Sequence, residues 1–94
     1  MTLPTIHLNG THPAQLLEDL NTAHAAVLDA LATMRTHGAP NGRDYYPQGT
    51  GAFQTAVAEH ESRLARLDSV LQEIDTLREH ASDALTEREA RKGR

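Results

Sequence analysis

The residues best suited to chemistry crowd into one short stretch. Residues 39–49 read Ala39-Pro40-Asn41-Gly42-Arg43-Asp44-Tyr45-Tyr46-Pro47-Gln48-Gly49, and the chain's three aromatic residues, Tyr45, Tyr46 and Phe53, fall within nine positions of one another. A tyrosine face can stack on a nucleobase, an interaction of roughly 1–3 kcal/mol per base. The planar fork of Arg43 suits a phosphate, and Asp44 beside it adds a carboxylate. Asn41 and Gln48 each donate and accept, as the edge of a base requires. The glycines let backbone approach a ligand, and a helix starting at Thr50-Gly51-Ala52 offers free N–H groups to an anion. Asn41, Arg43, Asp44, Tyr45, Tyr46 and Gln48 therefore form a candidate site for a small phosphorylated or nucleotide ligand. The same residue types also build ordinary turns. The aromatics can equally plug the open end of a hairpin, with Phe53 starting its core, and Arg43 and Asp44 can pair with other charges.

Other chemistry has less support. The six histidines, His7, His12, His24, His37, His60 and His80, show no metal-ligand spacing such as HExxH, so neither a metal site nor a cofactor is expected. His24 and His60 fall on apolar stripes. A tightly closed antiparallel hairpin would set them about one helical turn apart, as a shared polar layer that fixes register or oligomer state. The only serines, Ser62, Ser69 and Ser82, lie within one long helical pattern. No nucleophile and base converge, and a non-enzymatic protein is expected. The carboxylates Glu59, Glu61, Asp68, Glu73 and Asp75 read as a solvated face with salt bridges to Arg63, Arg66 and Arg78.

The elements that must position the loop are two helices. Asn9-Gly10 reads as a turn, Thr11 or His12 as a cap, and Pro13 as a first-turn residue. Glu18 and Asp19 lie near enough to the start to favour the helix dipole. Leu16, Leu20, Ala23, Val27, Ala30 and Met34 alternate at spacings of four and three, widened by Leu17, Leu28 and Leu31. Gly38 and Pro40 stop this helix near His37. The breakers of residues 38–51 leave no regular element there. From Phe53 the series Val57, His60, Leu64, Leu67, Leu71, Ile74, Arg78, Ala81, Leu85 and Arg88 keeps a four-three alternation, flanked by Val70, Leu77 and Ala84. That is a heptad pattern of about five repeats. The expected layout is one all-α domain over residues 1–94: helix 1 at about 12–37, a loop at 38–50 and helix 2 at about 51–90. The two helices form an antiparallel hairpin.

Residues 5–9, Thr-Ile-His-Leu-Asn, alternate apolar and polar, as a short extended segment would. A lone strand leaves backbone groups unpaired, so it must lie on a helix or pair with another subunit. Helix 1 would be about 37 Å long and helix 2 about 58 Å. The C-terminal third of helix 2 is thus expected to lack a partner within the chain, and to pack on another subunit or fray. A chain of 94 residues buries only roughly 60–65% of its unfolded surface even as a sphere. These three features predict a homo-oligomer, a helical bundle.

Composition bounds the partners. The net charge of −4 argues against sequence-blind binding to nucleic acid or anionic membranes. The basic tail of Arg88, Arg91, Lys92 and Arg94 reads as frayed and solvated. The absence of cysteine excludes disulfide and thiol chemistry and suits a reducing cytoplasm. Neither a membrane span nor a signal peptide is legible.

The stretch Ala39 to Tyr46, followed by Gly49 and Phe53-Gln54, resembles a group of short uncharacterised phage and prophage proteins. Those begin with an Ile-His-Leu-Asn-Gly segment like residues 6–10, followed by a helix, this loop and a long helix. In layout alone the chain is also similar to phage sponge proteins of the anti-CBASS and anti-Thoeris type. These are oligomeric helical hairpins that sequester cyclic nucleotide immune signals without cleaving them, and no binding residue of theirs maps onto this chain. The first resemblance implies a phage-encoded protein of the host cytoplasm and no activity, and the shared layout favours a nucleotide as a ligand sequestered at the loop. The alternative is a protein–protein interaction module, an inhibitor or adaptor acting on a host or phage protein through the long helix and the loop.

Overall fold

The computed structural model describes residues 1–93, so Arg94 of the basic tail lies outside the described residues. Two helices dominate: α1, Pro13–Thr36, and α2, Ala52–Lys92. His12 caps α1, its Nδ1 accepting from Ala14 N–H at 3.1 Å, and Pro13 follows at the first helical position. Glu18 and Asp19 fall outside the first turn, where the dipole would reward them. α1 ends at His37, whose N–H reaches the Thr33 carbonyl at 2.7 Å.

α1 and α2 pack antiparallel, and two polar contacts show the register. Arg78 Nε donates to Asn21 Oδ1 at 2.8 Å. His24 Nε2 lies 3.0 Å from Asp75 Oδ1. This register puts the end of α1 level with about Arg63. The first three turns of α2 therefore project past α1, by about 16 Å at 1.5 Å per residue. The molecule is a rod of 70 × 21 × 19 Å.

The inward residues differ from the expected stripe on α1. Of the expected stripe Leu16, Leu20, Val27 and Met34 are half-buried but Ala23 and Ala30 are exposed, while Pro13 and Leu31 are buried and Leu17 and His24 half-buried. The inward face is rotated by about one position, because the heavier Leu17 and Leu31 gain more by burial than alanines do, roughly 1.5–3 kcal/mol for a full leucine side chain. On α2 the residues of the four-three series from Val57 to Arg88 are all buried or half-buried. Phe53 is exposed instead, its ring lying near Gly42 of the loop.

At the two ends of the chain one expectation holds and one does not: the N-terminal segment lies on a helix, and the last third of α2 is not without a partner within the chain. Residues 1–7 form no strand, and no other subunit is needed to receive them, because they run along the C-terminal part of α2. His80 Nε2 is 2.7 Å from the Pro4 carbonyl oxygen. Ile6, His7 and Leu8 stand over Ala84, Glu87, Arg88 and Arg91, and Ala81 is fully buried. In this register the first turns of α1 lie opposite α2 as far as about Thr86, and the N-terminal segment adds cover beside Ala84 to Arg91, so the last third of α2 has partners within the chain. Arg91 also pairs with Glu87 one turn earlier. His24 and His60 do not share a layer. His24 meets Asp75, fifteen residues or about 22 Å along α2 from His60, because the connection climbs α2 rather than closing a tight hairpin. Arg78 pairs with Asp75 at 2.8 Å, but Arg63 and Arg66 enter no ion pair among the described residues.

Candidate functional site

The connection is not irregular, as its breakers suggested. It holds two consecutive single-turn 3-10 helices, Gly42–Asp44 and Tyr46–Gln48. Asn41 starts the first, its Oδ1 accepting from Arg43 N–H at 3.0 Å. Tyr45 N–H reaches the Gly42 carbonyl at 3.1 Å, and Gln48 N–H the Tyr45 carbonyl at 3.0 Å. Asn and Pro create these turns by local bonding and fixed φ. Gly49 and Gly51 then adopt φ of 103° and 93°, a left-handed backbone that side chains resist, and this redirects the chain into α2. Gly51 caps α2 without a side-chain acceptor, leaving first-turn N–H groups free.

The loop folds back along the overhanging turns of α2. Between them lies a half-open groove of about 300 Å³, walled by Gly38, Pro40, Tyr45 and Gln48 on one side and Ala52, Thr55, Ala56, Glu59 and Arg63 on the other. This is at the small end of ligand sites. At its foot, His60 is only 7% exposed and its Nε2 has no hydrogen-bond partner. Gly38 packs on that ring, where a Cβ would stand 3.3 Å from Cε1. A buried unpaired nitrogen of this kind costs roughly 1–3 kcal/mol.

Of the six sequence-predicted site residues, the groove gathers two, Tyr45 and Gln48. Asn41 is exposed and committed to its turn, while Arg43 and Asp44 are exposed outside the groove. Tyr46 is 76% exposed and plugs nothing. Thr55, Glu59 and Arg63 enter the wall without having been singled out for it. Their spacing of four is a helical face, legible in the sequence only once the loop is known to lie on that face. The wall is bipolar: Arg63 and the free N–H groups of the first turn favour an anion, whereas Glu59, one turn from Arg63, favours an amino or hydroxyl group. Thr55 gives its hydroxyl proton to the Gly51 carbonyl at 3.1 Å, so it faces the groove as an acceptor only. Among the described residues no group of three His, Asp or Glu side chains is placed to hold a metal. No helix among them is long and apolar enough to cross a membrane. No family model, curated protein or solved structure matches the chain.

Proposed function

We propose that the chain is a non-enzymatic binding protein that works as an oligomer and holds a small phosphorylated ligand between its loop and the first three turns of α2. One observation supports this reading above others. The groove combines the half-buried Tyr45, the Arg63 guanidinium with no carboxylate partner among the described residues, and a helix start lacking a side-chain cap. Tyr45 would stack on a base, Gln48 read its edge, and Arg63 take the phosphate. Binding itself would be the function. A cyclic nucleotide immune signal is the ligand that the layout shared with phage sponge proteins suggests, and the heptad stripe of α2, packed on α1, would be the scaffold that presents the loop. Calorimetry over a panel of cyclic and ADP-ribose-type nucleotides tests the reading. Micromolar or tighter binding is expected for at least one, weakened at least tenfold by Tyr45→Ala and by Arg63→Ala but unaffected by Arg43→Ala. No heat with any member of the panel overturns it.

A second reading, docking on a protein of the host or phage, has its own support in Tyr46. An aromatic side chain held out to solvent on a bonded loop is the kind of group that anchors protein interfaces. A stoichiometric partner captured by the wild type, lost on Tyr46→Ala and kept on Tyr45→Ala, would favour docking over ligand capture.

A further inference from the structure

The two long sides of the hairpin are unlike. One carries the polar contacts of Asn21, Asp75 and Arg78. The other carries a row of α2 residues seven apart, Ala56, Arg63, Val70, Leu77, Ala84 and Arg91. Toward both ends of this row the chain shelters the alanines itself: Ala56 is buried beside the loop and Ala84 half-buried beside the N-terminal segment, while Arg63 and Arg91 are exposed. The centre is bare. Val70 is 42% exposed and shares a shallow apolar groove with Met34 and Leu67, bordered by Arg63 and Arg66. On the same side of α1, four and eleven residues before Met34, Ala30 and Ala23 are exposed and small enough to admit a close neighbour.

We infer that this bare centre is a self-association surface, and that a second copy of the chain crosses it about a two-fold axis near Val70. This rests on the oligomeric part of the reading above and not on the ligand. Area supports it first. The chain exposes 6891 Å², whereas a compact monomer of 10.3 kDa would expose about 5,350 Å². The excess of about 1,500 Å² follows from the rod shape, and it leaves room for the roughly 800 Å² per partner that a standard interface takes. Charge supports the choice of occupant. Arg66 lies four residues before Val70 and Glu73 three after, on one side of α2. A two-fold axis through Val70 brings each Arg66 opposite Glu73 of the second copy. The surface is therefore complementary to itself, as an isologous interface must be.

Sedimentation of the full chain at tens of micromolar tests this. The wild type is expected at an even multiple of 10.3 kDa, and Val70→Glu, which sets like charges together at the axis, at half that mass with its helical circular dichroism intact. Arg66→Glu is expected to weaken association at least tenfold and Arg66→Glu with Glu73→Arg to restore it. Because the chain has no cysteine, Val70→Cys supplies a single thiol that meets its own copy at a two-fold axis. Mild oxidation should give a covalent dimer with Val70→Cys and none with Ala25→Cys on the outer face of α1. This readout holds even if Val70→Glu fails to fold. A monomeric wild type overturns the proposal together with the oligomeric reading. An oligomer unchanged by Val70→Glu, or cross-linking at Ala25→Cys that equals or exceeds that at Val70→Cys, overturns the surface and leaves the oligomeric reading standing.

Discussion

α2 outruns α1, and the chain covers the two ends of the long helix by opposite means. At the start, the connection between the helices is folded into two 3-10 turns by its own hydrogen bonds and lies on α2 as a preformed unit. At the end, residues 1–8 have no internal structure to speak of, and one hydrogen bond, His80 to Pro4, ties them to the helix. The burial differs in kind as well. The loop end buries a histidine nitrogen without a partner. The other end buries the methyl of Ala81 completely, with its polar side chain satisfied. The loop end thus gives up stability for shape, and the N-terminal end does not. Functional sites are drawn from the first kind of structure more often than from the second.

Four substitutions probe this contrast. Ala81 is fully buried, so Ala81→Leu has no room and should cost about 1–3 kcal/mol. Hydrogen exchange should then quicken at residues 80–92 while the loop end stays protected; a change spread evenly over α2 would mean that the two ends are one cooperative unit. His60→Leu removes the orphaned nitrogen at similar volume and should raise stability by about 1 kcal/mol, read as a higher urea midpoint with unchanged slope. A loss of stability there would show that the nitrogen is satisfied in solution. His80→Ala forfeits one hydrogen bond, about 0.5–1.5 kcal/mol in thermal melts, with faster proteolysis of residues 1–8. Leu8, 92% exposed, should tolerate Leu8→Ser within about 0.5 kcal/mol. A larger loss would place Leu8 in a contact between copies.

The helices were legible because their signals are local. Pro13, Gly38 and Pro40 bound α1, and the apolar spacing from Val57 onward marks the side of α2 that is buried. What was not legible depends on where the connection goes. A loop rich in Gly and Pro reads as a short closure, and that assumption put His24 beside His60 and left the end of α2 bare. The burial of His60 under Gly38 and of Ala56 beside the loop holds the connection against α2 instead, and periodicity carries no record of such contacts. The site inherited the same error. Tyr45 and Gln48 were recognisable by type, but Arg63 belonged to a helix read as scaffold, and Arg43, the more conspicuous cation, is exposed away from the groove. On α1 the spacing admitted two faces one position apart, and only side-chain size distinguishes Leu31 from Ala30.

Covering the end of α2 with the start of the chain has a geometric effect. The last turns of α2, with Ile6 to Leu8 beside them, form one pole of a 70 Å rod, and the loop lies toward the other. Anything joined beyond the last turn of α2, whether a surface, a tag or a second domain, would carry the loop as the tip of a stiff arm. A helix of 41 residues sets that reach at about 60 Å. The groove and Tyr46 would then stay clear of whatever the arm is mounted on.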